Sequence, residues 1–207
     1  TSYTGTVKLT DSGGTEQLNF PSDSTLYLRV TDSDRNSNSG TAETIAVTIK
    51  SETETTAESV TLTETGANTG IFSGSIAFEV SSSFTNGDSK LQVSKGDKLT
   101  GTYIDPANDF GNKDTLTDVA FYSVSLKSGE ISTNTTWSKS DSPFLVTGDV
   151  TVTSGDTLTI EAGSEVRFTP LSDDQSSGND ANRSELYVKG TLIANGTASD
   201  TIVFTSN

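Results

Sequence analysis

The sequence predicts an all-β protein: a Greek-key β-sandwich followed by a short β-helix-like (solenoid) segment. Three observations predict it. Short apolar runs with period-two alternation recur through residues 1–127, separated by polar turns. No comparable helical periodicity appears anywhere in the 207 residues. Beyond residue 143 the rhythm changes to apolar triplets joined by Gly-containing bends.

The clearest strands of the first part are Leu26 to Val30, Ile45 to Ile49 and Ser59 to Thr63. Phe72 to Val80, Lys98 to Ile104 and Val119 to Leu126 follow, and Val7 to Leu9 supplies a weaker first strand. Alternation places Leu26, Leu28 and Val30 inward and sets Ile45, Val47 and Ile49 on the facing side. Val60, Leu62, Phe72, Ile76, Phe78 and Val80 continue that pattern. Seven strands in about 125 residues fit an Ig-like sandwich. Leu91-x-Val93-x-x-Gly96-Asp97-x-Leu99-x-x-x-Tyr103 reads either as the corner such a sandwich closes with a tyrosine or as an ordinary hairpin ending in a core aromatic.

Residues 128–143, holding the only Trp, read as a polar connector, and residues 144–207 as one or two solenoid coils. Thr157-Leu158-Thr159-Ile160, Gly163 and Val166-Arg167-Phe168 recur as Thr191-Leu192-Ile193, Gly196 and Ile202-Val203-Phe204, the first triplet 34 residues later. A polar insert, Ser172 to Arg183, accounts for much of that spacing; without it the repeat is about 20 residues, one solenoid coil. Each coil of a solenoid buries its inner face on the next.

Composition bounds the function. Hydrophobic residues make up 30% of the chain, and Ser and Thr fill the deficit with about a third. Thr is β-branched and suits a pleated, half-exposed surface, so low apolarity here means thin strands over a modest core. Cys, Met and His are absent. That removes disulfides, thiolates, soft-metal sites and the commonest general base, and argues against hydrolytic chemistry. No stretch approaches the roughly 20 apolar residues of a membrane span. A net charge of −15 disfavours nucleic acid, whose phosphates require clustered Lys and Arg. No nucleophile–base pair is visible, and only Arg167, Arg183 and Lys189 are basic beyond residue 143. The expectation is a non-enzymatic chain.

Val30-Thr31-Asp32-Ser33-Asp34-Arg35-Asn36 and the run from Glu58 to Gly74, with Gly96-Asp97-x-Leu99-x-x-x-Tyr103-x-Asp105, resemble an Ig-like module of large bacterial and archaeal surface proteins. The run from Trp137 to Phe204 is similar to the start of right-handed parallel β-helices in secreted prokaryotic proteins. Its marks are Ser142-Pro143, Val150-x-Val152-x-x-Gly155-x-x-Leu158-x-Ile160-x-x-Gly163 and Gly190-x-Leu192-x-Ala194-x-Gly196. The resemblance implies an extracellular or cell-surface location. Such β-helices run for many coils, so a chain stopping at Asn207 implies either a fragment or an end covered by another subunit.

Alternate strand directions bring the loops 31–42, 64–70 and 105–115 to one pole of the sandwich. They carry Asp32, Asp34, Asn36, Glu64, Asp105, Asn108 and Asp109, the candidate metal ligands, together with Asn38, Asn68 and Asp114. Asp-x-Asp-x-Asn at 32–36 is a spacing by which one short loop wraps a calcium ion, although the downstream Gly and Glu of an EF-hand are missing. Carboxylates held a few ångströms apart without a cation repel by about 1–4 kcal/mol per pair. The expected cofactor is Ca2+; the same residues also suit a solvated acidic loop in which Asp and Asn form turns. Glu52, Glu54 and Glu58 at the opposite pole read as an exposed alternating turn, and Asp173, Asp174, Asn179 and Asp180 as a flexible polar loop.

These readings converge on a structural subunit of a prokaryotic surface filament, fibre or layer, stabilised by calcium and self-associating through β-strand edges. Its partners are other copies of itself or neighbouring surface proteins. Two further expectations stand beside it. One is a stalk or recognition segment of a large adhesin, binding carbohydrate through Trp137 or another cell. The other is an accessory N-terminal region of a secreted polysaccharide-degrading enzyme.

Overall fold

The computed structural model describes residues 3–170 and 173–206. The fold is all-β, and among the described residues only two single turns of 3-10 helix, Ser33–Arg35 and Lys139–Asp141, interrupt the strands. No helix there is long and apolar enough to cross a membrane. The chain divides between Ser123 and Val124 into two units.

The first unit holds β1 (Thr6–Thr10), β2 (Asn19–Phe20), β3 (Leu26–Thr31), β4 (Thr44–Lys50) and β5 (Glu58–Glu64). It continues through β6 (Ile71–Val80), β7 (Lys90–Val93), β8 (Lys98–Asp105) and β9 (Asp114–Tyr122). Pairing follows the order β1-β3-β6-β5-β4-β8-β9-β2, with β7 attached in parallel to β6. The β4–β5 hairpin joins the group β1-β3-β6-β5 to the group β4-β8-β9, the Greek-key arrangement expected of a seven-stranded sandwich. The sheet curls until β1 meets β9, where the Leu9 N–H donates to Asp118 Oδ2 at 2.6 Å.

Period-two alternation translates directly into burial. Leu26, Leu28 and Val30 of β3 and Ile45, Val47 and Ile49 of β4 face the core, with Val60, Leu62 and Phe72. Val80 departs from that pattern: the end of β6 turns it to solvent, 70% exposed, and Phe78 is only partly buried. Two glycines make room for leucine side chains of other strands. A Cβ on Gly101 of β8 would stand 2.7 Å from Leu9 Cδ2, and one on Gly74 of β6 the same distance from Leu62 Cδ2.

The expected strand Val119 to Leu126 is two strands. Ser123 takes a positive φ of 54°, and its N–H donates to Phe20 O, so the strand that begins at Asp114 ends at Tyr122. The next, β10 (Ser125–Ile131), belongs to the second unit, which continues through β11 (Thr135–Trp137) and β12 (Phe144–Val152). Residues 128–143, expected to be a connector, therefore carry strands of their own. They are followed by β13 (Thr157–Ile160), β14 (Glu165–Phe168), β15 (Leu186–Val188), β16 (Thr191–Ala194) and β17 (Val203–Ser206).

Every strand pair of this unit is parallel: β10-β12-β14-β17 with β15 beside β12 in one sheet, and β11-β13-β16 in the other. Coils stack in register, with Thr157 on Thr191 and Leu158 on Leu192, as the repeat predicts. Trp137, in register with Ile160, sits in the core of the coil preceding that repeat. That coil escaped the repeat pattern because Thr135-Thr136-Trp137 offers one apolar residue where the registered positions of the later coils offer two and three.

Candidate functional site

The three loops do meet. Asp32 directly follows β3, Glu64 ends β5 and Asp105 ends β8, and all three carboxylates are buried. The loop after β3 reaches the turn after β5 through Asp32 N–H to Gly70 O at 2.8 Å and Asn36 Nδ2 to Asn68 Oδ1 at 2.8 Å. Gly5 brings Asp32 and Asp105 together: a Cβ there would lie 3.4 Å from Asp105 Oδ2 and 3.4 Å from Asp32 Cβ.

What the acids face is chiefly backbone. Successive N–H groups of the N-terminal segment each find a different carboxylate: Tyr3 on Asp34 Oδ2 (2.9 Å), Thr4 on Asp109 Oδ1 (2.9 Å) and Gly5 on Asp105 Oδ2 (2.8 Å). The other Asp105 oxygen accepts the Ala107 N–H at 2.9 Å. Asp32 Oδ1 accepts the Asp34 N–H, and Oδ2 accepts the Tyr103 hydroxyl at 2.6 Å. Burial, followed by the bond to Asp32, pushes the Tyr103 phenol far above its usual range, so it stays a donor. Tyr103 thus spans the sandwich interior from β8 to Asp32.

Burial alone would raise the Glu64 carboxyl, but the N–H groups of Gly70, Thr69 and Glu43 outweigh it and hold the group below the usual carboxylate range. Asn108 Oδ1 closes its own turn by accepting from Phe110 and Asn112, apart from the Asp32–Asp105 pair. Asn36 Oδ1 is enclosed without a hydrogen-bond partner.

Calcium requires 6–8 oxygen ligands around one point. Both oxygens of Asp32, Asp105 and Glu64 already accept N–H or O–H donors, and among the described residues no three acidic side chains converge to hold an ion. As folded, these oxygens serve the fold's own N–H and O–H donors. The repulsion expected among these carboxylates is relieved instead by peptide and phenol dipoles. The long-range donors of this arrangement, the N–H groups of residues 3–5 and the Tyr103 hydroxyl, carry no charge and so left no mark in the acidic pattern.

The opposite pole corrects its expectation. Glu54 and Glu58 are not on an exposed turn: they are 0% and 3% exposed. Glu54 Oε2 accepts the Gln92 N–H at 2.9 Å, Oε1 has no donor, and the carboxyl adjoins that of Glu58. Glu58 Oε1 in turn accepts the Gly87 N–H. Burial, with the neighbouring Glu58 and Asp88 charges, pushes Glu54 up to about 7 against the Gln92 N–H that lowers it. Glu52, by contrast, is exposed and accepts the Lys98 N–H at 3.0 Å.

In the second unit the acidic loop after Asp173 is hydrogen-bonded onto β12; Ser172, the first residue of the expected insert, lies outside the described residues. Asp174 accepts from Thr147 Oγ1 at 2.7 Å, and buried Asp149 accepts the Ser177 hydroxyl at 2.7 Å and the Glu185 N–H at 2.9 Å. Trp137 is 3% exposed and stacks on Phe144 with ring centroids 5.0 Å apart, while Lys127 Nζ lies 5.6 Å from its ring centre. No open indole face is left for a sugar.

The sequence matches no protein-family model and no curated protein.

Proposed function

We propose that the chain is a non-enzymatic structural segment of an extracellular prokaryotic surface assembly, self-associating through β-strand edges. The observation that carries this reading is the outer face of β15–β17, which a further coil, from the same chain or from another copy, would cover. β15, β16 and β17 each pair on one side only, and the core column Phe144–Val166–Phe204 ends in a Phe204 that is 45% exposed. Val188, at the end of the column Ile131–Val152–Val188, is 43% exposed. Unpaired edge groups beside uncovered core residues favour strand addition, which supplies main-chain hydrogen bonds and apolar burial together.

The use of the acids supports a structural role. Asp32, Glu64, Asp105, Asp118 and Asp149 hold the fold's own donors. The resemblance of the first half to a surface-protein module and of the second to β-helices of secreted proteins supports the location. Light scattering of the purified chain over a concentration series tests the proposal. Concentration-dependent growth in mass, abolished by Phe204→Lys with Val188→Lys, is the expected result; a constant monomer mass would overturn it.

A further inference from the structure

We propose that Glu54 and Glu58 share one proton and act as a pH-sensitive clasp on the loop 81–89 and on β7. Two buried carboxyls in contact can bond only if one keeps a proton, and Glu54 Oε1 has no other donor. The pair also grips what lies around it. Glu58 takes the Gly87 N–H, at a positive-φ glycine of the loop, and Glu54 takes the Gln92 N–H of β7. Ser51 closes the other side, its N–H donating to Glu54 O and its hydroxyl to Gln92 O. Loss of the proton to solvent sets two buried negative charges side by side, and their separation loosens both grips.

Among the described residues, the charges that bear on Glu54 are negative. Asp88, the other charge bearing on Glu54, is negative and accepts from Lys90 N–H and Gln92 Nε2. On β6 and β7, Glu79 and Lys90 pair with each other at 3.0 Å. Asp97, after β7, accepts the Thr53 and Ser94 N–H groups, and Glu52 the Lys98 N–H. With more protons bound folded than unfolded, stability falls as pH rises from about 5 to about 8.

Glu54→Gln mimics the protonated form, since an amide can donate to Glu58 and still accept from Gln92. Denaturant unfolding at pH 5 and pH 8 tests the clasp. The expected result is equal stability at pH 5, and at pH 8 an unfolding constant on the order of a hundredfold smaller in the variant than in the parent. Asp118, also raised by burial, contributes equally to both proteins and cancels in the comparison. The same pH slope in both proteins would overturn the proposal. In the parent, amide exchange at Gly87 and Gln92, corrected for intrinsic rate, should lose protection over this range; constant protection would also overturn it. If millimolar calcium restores the pH 8 stability of the parent but not of the variant, the pair is a cation site and the shared-proton proposal fails.

Discussion

Tyr103 and Asp32 illustrate how single residues hold the upper pole. Among the described residues the phenol is the donor on Asp32 Oδ2, and both groups are buried. Tyr103→Phe leaves that oxygen without its partner and should cost about 1–3 kcal/mol in urea unfolding, with the core otherwise intact. Glu64 makes the acid-side prediction. Its folded carboxyl is held below the unfolded value, so it contributes stability above about pH 4.5 that is lost as pH falls through the folded value. Glu64→Gln should therefore flatten the acid limb of a stability profile between pH 2 and 5. Glu54, raised rather than lowered, acts on the opposite limb. The two poles thus titrate in opposite senses, and stability should peak near pH 5, between their windows.

At the scale of elements, strand existence follows from alternation, and strand partnership depends on what can approach. β3, β4 and β5 were legible because each places every second side chain in the core. β2, only two residues long, gives no periodic signal, and its parallel pairing with β9 exists only in the folded unit. The boundary near residue 127 moved to Ser123 because one left-handed residue ends β9. Gly101 is the element-scale counterpart of a core residue: its missing side chain makes room for Leu9. Gly101→Ala should destabilise the first unit by about 1–3 kcal/mol, read by thermal or denaturant unfolding. The solenoid repeat predicted the pairing of β13 with β16 to the residue, since stacked coils repeat the same inner positions. The coil around Trp137 was hidden by its polar composition.

Across the whole molecule, charge and open edges act against each other. A net charge of −15 makes copies repel at long range, while the proposed contact through strand edges acts only at short range. Association should consequently strengthen between 20 and 300 mM monovalent salt, where the screening length falls below about 10 Å. Light scattering across that series is the measurement, and a mass that falls with salt would point to an electrostatic contact in place of the apolar coil.

The sequence alone determined the all-β class, most strands, the solenoid register and the gathering of three acidic loops at one pole. Periodicity and alternating strand direction are properties of the chain's order, so they can be read before folding. Only the tertiary structure decided what those acids meet. A carboxylate's partner is whichever donor the fold delivers, and here the donors are peptide N–H groups of residues 3–5 and a tyrosine 71 positions from Asp32. The same holds for Glu54 and Glu58, which look like solvated turn residues in sequence and become a buried pair once β7 and the loop before it close over them.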